Sequence, residues 1–141
     1  MGDWGGNGGE GYAVLALGSS QAIPGTDITI PLYLSSDLSV GGVQFIIVAD
    51  TPDILIPVGI EAIDSCFSAD FNVIDDGQLI GIIFSFEGCA YPPEEMLQIA
   101  DLVFSVSDEV DSGNQIELYF NNTIVSDSFG NEILSYGTSG F

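Results

Sequence analysis

The sequence predicts an all-β protein: an antiparallel β-sandwich of jelly-roll topology with about nine strands. Three observations predict it. Short runs rich in Val, Ile, Leu, Phe and Tyr recur along the chain from Tyr12 onward. Turn-forming residues separate the runs. No stretch shows the helical period of a convincing amphipathic helix.

The elements follow in order. Residues 2–11, GDWGGNGGEG, hold six glycines and read as an arm or linker ahead of a domain over 12–141. Trp4 is the large apolar side chain of that arm, expected to dock on its own domain or on a neighbouring subunit. Strands are expected at 12–17 (YAVLAL), 27–34 (DITIPLYL), 42–49 (GVQFIIVA) and 58–63 (VGIEAI). Further strands are expected at 71–75 (FNVID), 78–86 (QLIGIIFSF), 97–106 (LQIADLVFSV), 115–120 (QIELYF) and 132–136 (EILSY). Between them stand Pro24-Gly25, Ser35-Ser36-Asp37, Asp75-Asp76-Gly77, Pro92-Pro93 and Ser112-Gly113-Asn114, all residues that favour turns. The alternation Ile28, Ile30, Leu32, Leu34 is that of a strand with one face in a core.

Composition narrows the function classes. At 141 residues the chain is one domain's worth and can bury a core. A hydrophobic content of 46% excludes a disordered acidic tail. No apolar run reaches the roughly 18 to 20 residues of a membrane span. The opening MGDWGGNGGEGY has neither the basic start nor the apolar centre of an export signal. Either such a signal has been removed, or the chain is made without one. The chain has 21 acidic residues and no Lys, Arg or His, a formal charge of −21. No salt bridge between side chains can form. Binding to DNA, RNA or anionic lipid is excluded, because phosphate contacts need Lys or Arg. Self-repulsion of this size is relieved by salt or bound cations, which suits a saline or calcium-bearing medium. A general bias in the source's composition accounts for it equally well.

The same absence argues against an enzyme. Ser and Cys nucleophiles lack their usual bases, and anionic transition states lack their usual clamps. Paired carboxylates could run glycoside hydrolysis, but most acids sit in turn-like segments and none pairs within an aromatic cleft. Cys66 and Cys89 are the only cysteines. They are expected to form a disulfide, the alternative being two buried free thiols. With no CxxC and no His, a zinc site is not expected. Calcium takes clustered oxygen ligands, and Asp108, Asp111 and Asn114 are the first choice for a loop site. Diffuse screening by cations is the competing reading.

The order of segments resembles the cohesin-like domains. GTDITIPLYLSS is similar to that family's G-x-x-x-x-(I/V)-P-(V/L)-x-L second strand. VGGVQFIIVADTPDILIPVGI resembles its third strand and exit, although Ala49-Asp50-Thr51-Pro52 lacks the family's tyrosine and is one residue longer. GQLIGIIFSFEG and MLQIADLVFSVSD match its strand after a Gly turn and its L-x-x-(L/I)-x-F-x-V strand. NTIVSDSFGNEI resembles the closing (I/V)-x-D-x-x-G-N-x-(I/L) element. The resemblance covers about 12–136. It implies a nine-stranded jelly roll acting as a non-catalytic protein–protein module, whose best-known partner is a calcium-loaded dockerin. At positions 44, 46 and 48, where cohesins often carry polar residues, this chain has Gln, Ile and Val.

In the family, strands three and six lie in the sheet whose outer surface binds partners. With Val43, Phe45, Ile47 and Ala49 inward, Gln44, Ile46 and Val48 face outward. With Ile80, Ile82, Phe84 and Phe86 inward, Leu79, Gly81, Ile83 and Ser85 face outward. The expected interface is therefore Gln44, Ile46, Val48, Leu79, Gly81 and Ile83, joined by Trp4 from the arm. The alternative is that loop 87–96 folds over these residues. Two functional readings follow. One is a structural or assembly protein that packs on copies of itself or on a scaffold, in a filament, matrix or virion exterior. The other is a recognition module for a dockerin-like partner. Both place the chain outside the cell or on a surface. A carbohydrate-binding module is the weaker third reading, because Tyr12, Tyr33, Tyr91, Tyr119 and Tyr136 fall in different segments.

Overall fold

The computed structural model describes residues 12–18, 23–49, 55–74, 78–108 and 118–138. These residues form nine strands and no helix. In chain order they are β1 Tyr12–Leu17, β2 Asp27–Ser36, β3 Val40–Ala49, β4 Leu55–Ala62 and β5 Ser68–Ile74. Then come β6 Gln78–Phe84, β7 Glu94–Val106, β8 Leu118–Asp127 and β9 Glu132–Thr138. Their hydrogen-bonded order is β4-β7-β2-β1-β9-β8-β3-β6-β5. All pairs are antiparallel except β9 with β1. Glu132 and Ile133 pair with β8, while Leu134 to Thr138 pair with β1, so β9 passes from one sheet to the other. The result is the expected sandwich, sheet β4-β7-β2-β1 facing sheet β8-β3-β6-β5, with β9 closing one edge.

The core forms where inward positions of the two sheets meet. Ile28, Ile30, Leu32 and Leu34 of β2 are all buried, as their alternation predicts. Opposite them lie Val43, Phe45 and Ile47 of β3, also buried, with Ala49 half-buried at the strand's end. Phe45 meets Phe120 edge to face, ring centroids 6.2 Å apart.

One stretch is longer than its sequence suggests. The expected strand over 115–120 continues to Asp127. A register shift between Ile46 and Ile47 lets β8 absorb an extra residue and keep pairing through the polar Asn121 and Asn122. Residues 115–117 and the expected Asp75-Asp76-Gly77 and Ser112-Gly113-Asn114 turns lie outside the described residues, as does Trp4.

The β6–β7 loop leaves one sheet and enters the other, so it must cross an end of the sandwich. Three contacts hold it there. Tyr91 exchanges backbone hydrogen bonds with Val40 (2.8 and 3.0 Å). Its ring stacks on Phe67, centroids 3.9 Å apart and planes 7° from parallel. Cys89 is joined to Cys66 in the β4–β5 turn, Cα atoms 6.3 Å apart. The Tyr91 hydroxyl is buried with no hydrogen-bond partner. Burial first, and the nearby Asp64 carboxylate second, hold this phenol well above the usual tyrosine range. Through Cys89 and Tyr91 this loop therefore caps the end of the sandwich, while its Phe86 packs on Phe84 of β6.

Candidate interaction face

Register decides which side chains share the outer face of β8-β3-β6-β5, because directly opposed residues point the same way. Gln44 stands opposite Ile82 and Ile124, and Ile46 opposite Ile80 and Asn122. Val48 is opposite Tyr119, and Gly42 opposite Phe84. On the edge strand, Asp70 faces Ile82 and Asn72 faces Ile80. The outer face is thus an apolar stripe across the two central strands and β8, bordered by amides and one carboxylate. Gln44, Ile46 and Val48 lie on it as the sequence indicates, half-buried by their neighbours.

The other half of the expected interface is corrected. Leu79, Gly81 and Ile83 are buried in the core, not exposed. They pair with Ile47, Phe45 and Val43, whose inward direction they must share. The large Phe84 and Phe86 suggest the opposite parity to a reader of the sequence, and Gly81 looks expendable on the inside. In the fold, Gly81 is inside because its neighbours fill its place. A Cβ there would lie 2.7 Å from both Ile60 and Phe45. Ile80, Ile82 and Phe84 face outward instead, and Ile82 is 39% exposed. Phe86 is 85% exposed and meets Phe84 edge to face at 4.8 Å.

A second aromatic stands at the same end of this sheet. The β8–β9 hairpin is built around Asp127, whose Oδ1 accepts the N–H groups of Phe129 and Asn131, both at 2.9 Å. Gly130 supplies the left-handed turn (φ 88°). These bonds, the one from Asn131 first, lower the Asp127 pKa below the usual carboxylate value. The turn leaves Phe129 88% exposed. The only sequence signals for these additional face residues are the D-x-x-G-N turn, with Phe129 beside Gly130, and Phe86 two positions before Gly88.

Charge is distributed unevenly. Among the described residues, Asp70 is the one carboxylate on the outer face of β8-β3-β6-β5. It borders a shallow depression with Gln44, Asn72, Ile80 and Ile82. Of the other described acids, Asp37, Asp64, Glu87 and Asp108 sit in turns and loops, while Asp27, Glu61, Glu94, Glu95, Asp101, Asp127 and Glu132 lie in strands of the opposite sheet or at the β8–β9 edge. The opposite sheet exposes Tyr12, Leu134 and Tyr136, brought together by the β9–β1 pairing. Of the expected calcium ligands, Asp108 lies against Gly25, and Asp111 and Asn114 are outside the described residues. No group of three or more His, Cys, Asp or Glu among the described residues is arranged to hold a metal ion.

No protein-family model and no curated protein matches this sequence. Solved structures do match in fold. One is the sixth cohesin of Acetivibrio cellulolyticus scaffoldin B, solved with a mutant dockerin, at 18% identity and TM-score 0.70, covering 91% of this chain and 95% of that one. A type I cohesin–dockerin complex from Clostridium thermocellum has 20% identity and TM-score 0.71, covering 92% and 96%. A non-cellulosomal cohesin from the hyperthermophilic archaeon Archaeoglobus fulgidus has 18% identity and TM-score 0.66, covering 89% and 86%. The chain has the cohesin fold.

Proposed function

We propose that this chain is a non-catalytic protein-recognition module of an extracellular or surface assembly, binding its partner with the outer face of β8-β3-β6-β5. One observation carries the reading: Ile46, Val48, Ile80, Ile82, Phe84 and Ile124 form one apolar stripe on the outer face of the sheet, extended at one end by the exposed Phe86 packed edge to face on Phe84. A sheet face meant for water alternates with polar residues, whereas a contiguous apolar patch marks an interface. Covering a few hundred Å2 at about 25 cal/mol per Å2 contributes several kcal/mol before association costs. The absence of Lys and His from a chain with this fold supports recognition over catalysis.

Cohesins of this fold are solved in complex with dockerins, so a dockerin-like module is the first candidate partner. A second reading, self-assembly into a filament, matrix or virion exterior, is favoured by the exposed Tyr12, Leu134 and Tyr136 on the opposite sheet. Two unlike faces on opposite sides allow head-to-tail contacts that do not close. The test is binding to purified calcium-loaded dockerin modules and to a tagged second copy, comparing wild type with Ile46→Asp. Binding to either probe that Ile46→Asp abolishes, with the melting temperature kept, supports the reading. Binding that survives Ile46→Asp contradicts it.

A further inference from the structure

We infer that the depression beside β5 is a receptor for one lysine or arginine side chain of the partner, its cation on Asp70 and its stem on Ile80 and Ile82. The inference rests on the reading that this face binds the partner, and it names the chemistry of one contact.

The depression is lined by Gln44, Asp70, Asn72, Ile80 and Ile82, with Phe71 and Gly81 beneath. Its volume of 190 Å3 is below the roughly 300 Å3 at which small-molecule pockets begin. It suits a single long side chain. Gln44, Ile82 and Asp70 stand in one line across β3, β6 and β5, and Ile80 stands opposite Asn72. An apolar floor is therefore ringed by a carboxylate and two amide side chains. Asp70 Oδ1 accepts the Phe71 N–H at 2.9 Å, and Asn72 Oδ1 accepts the Val73 N–H at 2.9 Å. No described residue donates to Asp70 Oδ2.

Three physical points select the occupant. The chain has no Lys, Arg or His, so no side chain of its own can neutralise Asp70. A calcium ion needs six to eight oxygen ligands, more than one carboxylate and two amides above isoleucines supply. A lysine or arginine matches both parts, because its aliphatic stem lies on apolar surface while its head keeps polar partners. The net charge of −21 further steers cationic partners toward the chain.

The experiment is a residue-resolved NMR titration of the folded chain at about 150 mM salt, where diffuse attraction is screened. The cationic probe is N-acetyl-arginine amide, and the neutral one is N-acetyl-norleucine amide. The arginine probe is expected to shift the Gln44 and Asn72 side-chain amides and the Ile80 and Ile82 methyls with one saturating midpoint. Asp70→Asn should weaken that midpoint about tenfold, the scale of a charged hydrogen bond, while Glu61→Gln on the opposite sheet leaves it unchanged. Shifts that spread over all acidic turns without saturating, or a midpoint indifferent to Asp70→Asn, overturn the inference. If the neutral probe shifts Ile46 and Val48 while arginine ignores Asp70, the binding face stands and only the receptor falls. If neither probe touches the face, both fall.

Discussion

The orientation of β6 can be tested with a pair of neighbouring substitutions, Ile83→Ala and Ile82→Ala. Ile83 is 0% exposed and Ile82 is on the outer face. Truncating a buried isoleucine to alanine removes three carbons, about 2.4 kcal/mol of transfer free energy at about 0.8 kcal/mol per carbon. The cavity left in a core that cannot fully collapse brings the loss at Ile83 to about 3 to 4 kcal/mol. At Ile82 roughly three-fifths of that transfer term applies and no closed cavity forms, so the loss is about 1.5 kcal/mol. With about 4 °C of melting temperature per kcal/mol for a domain of this length, Ile83→Ala falls by about 14 °C and Ile82→Ala by about 6 °C. Thermal unfolding followed by circular dichroism reads both. Equal losses, or a larger loss at Ile82, would refute the parity assigned to β6 and with it the composition of the interaction face.

Three further predictions follow from the same packing. Gly81→Ala places a methyl against Phe45 and Ile60, and overpacking of this kind should cost about 1 to 3 kcal/mol in urea unfolding, without the gain that Gly→Ala brings in open strands. Replacing Cys66 and Cys89 together by Ser releases a loop spanning 23 positions and should lower stability by roughly 3 kcal/mol, an effect that reductant reproduces in the wild type and not in the variant. Tyr91→Phe removes a buried hydroxyl with no partner and should raise stability by about 1 kcal/mol. Its alkaline dependence has a definite sign. The folded-state pKa lies above the ordinary value of 10.0, so the wild type binds more protons folded than unfolded above about pH 10 and loses stability there. Stability of Tyr91→Phe should fall less over the same range.

Much of the architecture was legible because β-strand signals are local. The alternation in β2, the turn residues at Pro24-Gly25 and the D-x-x-G-N hairpin each carry their own meaning within a few residues. The order of such pieces then identified the fold. Parity was a different matter. A strand apolar on both faces, such as QLIGIIF, has no internal signal for which face is inward, and side-chain size misleads when a neighbour such as Phe45 fills the space above a glycine. Only pairing with β3 decides it, and that pairing joins residues more than thirty positions apart in the chain. The receptor depression was invisible for the same reason, since Gln44, Asp70 and Ile82 meet only through cross-strand register. The half of the face on β3 was readable because Gln44 breaks the apolar run and marks the outward parity.

The outer face of β8-β3-β6-β5 is the surface on which we propose that this chain meets its partner. The most direct measurement is the affinity of a purified partner for wild type, Ile46→Asp and Leu134→Asp, each first shown to melt within a few degrees of wild type. Ile46→Asp is expected to abolish binding, and Leu134→Asp, on the opposite sheet, to leave it nearly unchanged. Retained affinity in Ile46→Asp together with loss in Leu134→Asp would contradict that placement of the binding face.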